Sequence, residues 1–133
     1  MIALDTHALI RILIEDDLEQ AKKVKEAVTR LEADSEQILI LFEVLIETVW
    51  VLEAVYRCTR EEISGFLEML IRTSIFTFHE PSVLSRVISQ YRRGGDFADL
   101  VIVSQAKRFN AKKLLSFDKK LQNRFSGYVV ESI

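Results

Sequence analysis

The chain has 133 residues, 49% of them hydrophobic, which suits one compact domain with a real core and leaves no room for a second. Its apolar runs are broken by charges well before membrane-spanning length, and the start lacks a basic, cleavable leader, so a cytoplasmic protein is expected. The single Cys58 excludes an internal disulfide and a cysteine-based zinc site, and the net charge of −2 excludes a uniformly basic chain.

The opening apolar run, residues 2–4, is expected as a central parallel strand buried on both faces, with Asp5 at its carboxyl end, where open α/β sheets bind ligands. Leu9, Ile10, Leu13 and Ile14 then recur at helical spacing. Asp17 with Gln20 resembles a capping box, and Leu18, Ala21, Val24, Val28 and Leu31 give the next helix one apolar face. Residues 38–41 are too short for a helix and read as a second strand. From Glu43 to Tyr56 the chain is apolar nearly all round, the pattern of a buried helix with Trp50 in the core.

Thr59 and Glu62 form the clearest capping box, ahead of the stripe Ile63, Phe66, Leu67, Leu70 and Ile71. Residues 75–78 read as a third strand. Pro81 suits the first turn of a helix that carries Val83, Leu84, Val87, Ile88 and Tyr91 on its core side and stops at Gly94 and Gly95. Another helix runs from near Asp96 to about Phe109, with Asn110 as a left-handed cap. Residues 114–117 read as a fourth strand, a short helix follows Asp118, and residues 128–130 read as a final edge strand. Alternating strands and helices predict an α/β domain: a central parallel sheet of four or five strands with helices on both faces, over residues 1–133 as a single domain. No glycine-rich loop is present to cradle a nucleotide.

Four acids lie beside or inside strongly apolar segments: Asp5, Glu47, Asp99 and Asp118. Carboxylates brought together raise one another's pKa and stay ionised cheaply only around a cation, so the pattern points to a divalent metal. Each also has a plainer reading. Asp5 is a turn residue that can bond nearby amides; Glu47 shares a helix face with Glu43 and would then lie on a solvent strip, although its apolar neighbours favour an acid held inside. Asp96 and Asp118 can cap helices, and Asp99 can favour the helix dipole. His7, Thr6 and Ser116 adjoin the acids as groups that steer a carboxylate, a water or a substrate.

The charges are uneven. From Arg86 to Arg124 ten basic residues face only Asp96, Asp99 and Asp118, whereas acids cluster at Glu15 to Glu19 and at Glu32 to Glu36. Such a late basic segment is either a solvated face or a surface for a phosphate backbone.

Taken together, LDTHALIRIL, LIETVWVLEAVYRCTREEI, DFADLVIVSQA and LLSFDKKL resemble the PIN-domain nucleases, most closely the VapC-type toxins of toxin–antitoxin pairs. The resemblance covers nearly the whole chain. It implies Asp5, Glu47, Asp99 and Asp118 as an acidic quartet with Asp96 and Thr6 beside it. It further implies Mg²⁺ or Mn²⁺, hydrolysis of an RNA phosphodiester, a homodimer and a small antitoxin partner. In this implied chemistry Asp5 and Asp99 contact metal directly, and Glu47 and Asp118 complete the set through water or a second ion. Two positions depart from the relatives: His7 stands where Asn is usual, and residues 100–103 are bulkier than an Ala-rich run. The rival readings are an aspartyl-phosphate phosphatase, disfavoured because His7 rather than an acid lies two past Asp5, and a silent binding module on the same fold.

Overall fold

The computed structural model describes residues 1–133 and forms two compact units, Met1–Pro81 and Ser82–Ile133. In the first, three parallel strands are ordered β1 (Ile2–Ala3), β2 (Ile38–Ile40), β3 (Phe76–Phe78). Ile2 pairs with Ile38, and Ile38 in turn with Phe76. Parallel neighbours need a crossover. Helices α1 (Thr6–Leu13) and α2 (Leu18–Ala33) supply it between β1 and β2, and α3 (Phe42–Ala54) and α4 (Arg60–Arg72) supply it between β2 and β3.

The central strand of this sheet is β2, whose Ile38 and Ile40 are fully buried. The opening strand was expected there; instead β1 is an edge strand of two exposed residues. A three-residue apolar run reads the same in either place, because periodicity carries no information over so short a span.

Helix α1 buries Thr6, Leu9 and Ile10. In α2 the Asp17 carboxylate accepts the Gln20 backbone N–H at 3.0 Å, but the Gln20 side chain does not return the bond. It accepts from Arg11 Nε at 2.7 Å, and Arg11 also donates to Asp16 at 2.8 Å. The expected stripe on α2 is shallow: Ala21 is buried, Val24, Val28 and Leu31 are half-buried, and Leu18 is exposed.

Helix α3 departs further from its reading. It buries Phe42, Leu45, Thr48, Val49 and Leu52, but Trp50 is 62% exposed. An apolar composition all round does not bury a helix all round; α3 packs on α1 and α4, and the opposite face stays open. In α4 both halves of the capping box form, Glu62 N–H to Thr59 Oγ1 at 3.1 Å and Thr59 N–H to Glu62 Oε1 at 2.8 Å. Those bonds to Thr59 hold the Glu62 carboxyl below its ordinary range. Cys58 is a free thiol, pushed up first by burial and then by Glu62.

The second unit contains α5 (Pro81–Arg93) from its second residue on, α6 (Phe97–Arg108), β4 (Leu114–Leu115), α7 (Lys119–Arg124) and β5 (Val129–Val130). Tyr91 and Phe97 pack edge to face with centroids 5.6 Å apart across the turn at Gly94 and Gly95. Val103, Leu121 and Val129 make a small core lined by Leu114, Phe125 and Tyr128, and the Lys107 ammonium lies over the Phe125 and Tyr128 rings. Asn110 takes the left-handed conformation expected of it, at φ 63°.

The α/β class holds, with one correction to the strand count. The main sheet has three strands, and β4 and β5 pair with each other in a separate parallel sheet. The expected fourth strand stops at Leu115 because Ser116 Oγ accepts the Asp118 backbone N–H at 3.1 Å, turning the chain into α7, and Phe117 is left exposed.

Candidate functional site

Three of the sequence-marked acids are helix caps. Asp5 accepts the Ala8 N–H at 3.0 Å, Asp96 the Asp99 N–H at 3.0 Å, and Asp118 the Leu121 N–H at 3.1 Å. Each places one carboxylate oxygen on the orphan donors of a first helical turn, so the capping reading of Asp96 and Asp118 is correct, and Asp5, read as a turn residue bonding nearby amides, does so as the cap of α1. It does not exhaust them, because a carboxylate has two oxygens and each cap uses one.

Within the second unit the structure brings Asp96, Asp99 and Asp118 into one electrostatic neighbourhood. Asp99, on the first turn of α6, is half-buried, and its pKa is raised, first by burial and then by the like charges of Asp96 and Asp118. Its position near a helix N-terminus favours the charged form, yet the other influences prevail. Ser116 orients Asp118, and the Gln122 side-chain amide donates to the Ser116 carbonyl at 2.7 Å, bracing the turn between β4 and α7. Sequence reading missed Gln122; its only signal was a position four residues after Asp118, one helical turn on.

In the first unit, Asp5 opens α1 and Glu47 lies in the second turn of α3, the helix on which α1 packs. Glu47 was expected as an acid held inside, and it is exposed. Its apolar neighbours in sequence, Leu45 and Val49, point into the core two residues to either side, so Glu47 falls on the other face of the helix. Thr6 is buried beside Asp5, and His7 is exposed.

The donor set is entirely oxygen, the chemistry of a hard divalent cation. The surroundings of Asp99 fit such an ion, since a cation would offset the burial and repulsion that favour its protonated form. No three His, Cys, Asp or Glu side chains stand close enough to form a ready cage. Mg²⁺ does not require one, because it keeps several waters and takes one or two carboxylates.

The sequence matches the PIN domain family over residues 2–126, and the chain belongs to that family. It is 27% identical over 120 residues to a VapC ribonuclease of Aquifex aeolicus (strain VF5), a similarity that covers 90% of this chain and 88% of the relative. No solved structure matches significantly. No helix is long and apolar enough to cross a membrane.

Proposed function

We propose that this protein is a metal-dependent endoribonuclease that hydrolyses RNA phosphodiester bonds and serves as the toxin of a toxin–antitoxin pair in the cytoplasm. The observation that carries the reading is Asp99, an acid whose burial and like-charged neighbours Asp96 and Asp118 make a cation its natural counterpart. The PIN domain match over residues 2–126 and the ribonuclease relative supply the reaction class.

Asp5, Glu47, Asp99 and Asp118 are the proposed metal ligands, Asp5 and Asp99 directly and Glu47 and Asp118 through water or a second ion. Mg²⁺ or Mn²⁺, when bound, supplies Lewis acidity toward a phosphoryl oxygen and lowers the pKa of an attacking water. Asp96 holds the first turn of α6, and with it Asp99, in place. Ser116 and Gln122 do the same for Asp118. Thr6 and His7 flank Asp5 as positioning and RNA-contacting groups. A second copy of the chain and a small antitoxin protein are the expected partners, and residues 1–133 act as one domain.

Cleavage of a mixed tRNA and mRNA pool with Mg²⁺ or Mn²⁺, by the intact protein and by an identically prepared Asp99→Asn variant, tests this. Metal-dependent cuts made only by the intact protein are expected. Equal cutting by both would trace the activity to a contaminant and favour a silent binding module on the PIN fold.

A further inference from the structure

At the end of α7 the Arg124 side chain lies over the turn formed by Gly94 and Gly95. The approach is close: a Cβ at Gly94 would stand 3.0 Å from Arg124 Nη2, and one at Gly95 3.0 Å from Nε, so the side chain would have to give by a few tenths of an ångström. Both glycines also hold positive φ, 142° and 100°, where other residues are strained. The turn that ends α5 therefore also forms a seat for a guanidinium.

That guanidinium borders a cleft of about 190 Å³ lined by Gln90, Arg93, Leu100, Arg124 and Phe125. Gln90 and Arg93 are three residues apart on α5 and share a face. Neither Arg93 nor Arg124 makes an ion pair or hydrogen bond, whereas the nearby Arg92 and Arg108 are engaged. Gln90 Oε1 is buried without a partner. Two free guanidinium forks thus border one small cleft with Leu100 and Phe125 in its wall. The space is well above what a single water needs and opens to solvent, so it admits a phosphate.

We propose that this cleft is a phosphate-binding subsite that grips one backbone phosphate of the RNA substrate; the assignment to RNA rests on the ribonuclease reading above. Guanidinium forks match the paired non-bridging oxygens of a phosphodiester and hold them by charge-assisted bonds. The cleft lies in the segment where ten basic residues face three acids, a setting that suits a run of phosphates. Leu100, in its wall, directly follows Asp99 on α6, so a phosphate held here is registered to the helix that carries the acid. Such a contact fixes position along the strand and reads no base.

Two measurements on the full chain test the subsite. Inorganic phosphate, titrated while the arginine Nε–H resonances are followed, is expected to shift Arg93 and Arg124 in the native protein and to leave Arg93 unmoved in Arg124→Gln. Binding of single-stranded RNA oligonucleotides in EDTA, measured across salt concentrations, is expected to weaken roughly tenfold in that variant, alike for different sequences. The dependence of log K on log salt should become shallower by about 0.7, the loss of one single-strand phosphate contact. Gly95→Ala, which shifts Arg124 by a few tenths of an ångström without removing a charge, should weaken binding by less and leave the salt slope unchanged. An absent phosphate response overturns the subsite. A phosphate response with an unchanged RNA salt slope overturns the RNA assignment, as does displacement of phosphate by a glutamate-rich peptide but not by RNA. Failure of the ribonuclease reading looks different: the native protein then neither binds nor cuts RNA while Arg93 and Arg124 still respond to phosphate, and the RNA assignment falls with it.

Discussion

The Asp96 carboxylate accepts the backbone N–H of Asp99 at 3.0 Å and, at the same time, repels the Asp99 carboxylate. One acid thus stabilises the helix start that holds the other and, after burial, is the largest influence raising that other acid's pKa. The two effects make opposite demands. Asp99 ionised is penalised in the empty protein, whereas Asp96 ionised is useful to α6.

A sign follows for pH. The folded pKa of Asp99 lies above its unfolded value, so between the two the folded state binds the extra proton and stability falls as pH rises through that window. The penalty is complete above the folded pKa and absent below the ordinary Asp range. Asp99→Asn is therefore expected to stabilise the metal-free protein at neutral pH, by less than about 1 kcal/mol given the exposure of the group, and the gain should vanish in acid. Urea unfolding in EDTA at several pH values measures it. A variant less stable than the parent at pH 7 would show that helix-dipole support outweighs the repulsion.

Asp96 should behave in the opposite way. Asp96→Ala removes the cap of α6 and is expected to cost about 1 kcal/mol, while Asp96→Asn keeps an acceptor and should cost only a fraction of that. Thermal unfolding of the two variants side by side separates the cap from the charge. Equal losses would mean that the negative charge, rather than the hydrogen bond, supports the helix start.

What the sequence disclosed followed from how each signal works. Caps were legible because their chemistry is local: Asp17, Thr59 with Glu62, Asp96 and Asp118 all stand at helix starts, and Asn110 takes its left-handed turn. The stripe on α5 was equally clear, since Val83, Leu84, Val87, Ile88 and Tyr91 are all buried. Burial of short or uniformly apolar segments was not legible. The residues 2–4 do not say whether their strand has one neighbour or two, and α3 does not say which of its apolar faces meets a partner, so β1, Trp50 and Glu47 were all placed too deep. The cleft at Arg124 lay beyond sequence reasoning, because it depends on a side chain from α7 meeting a turn some thirty residues earlier.

Divalent metal should stabilise the native protein. If Mg²⁺ or Mn²⁺ binds the folded state alone, metal at about 100 times its Kd adds roughly 2.7 kcal/mol, which is a Tm rise on the order of 10 °C for a chain of this size. Asp99→Asn should lose most of that rise, and Asp5→Asn should lose a comparable share if Asp5 is also a ligand. Differential scanning fluorimetry with and without metal reads both. A full rise retained in Asp99→Asn would remove Asp99 from the ligand set.

Trp50 is the only tryptophan, so its fluorescence reports α3 directly. With the residue 62% exposed, its emission should be red-shifted and quenched readily by iodide in dilute protein. Trp50→Ala should change the stability of the dilute chain by about 0.5 kcal/mol or less, against the roughly 3–5 kcal/mol that truncating a buried aromatic costs. Raising the protein concentration then tests the expected second copy of the chain: protection that grows with concentration would place the α3 face in that contact. A blue-shifted, iodide-protected Trp50 at every dilution, with a large loss of stability on truncation, would instead restore the core position that its sequence neighbourhood suggested.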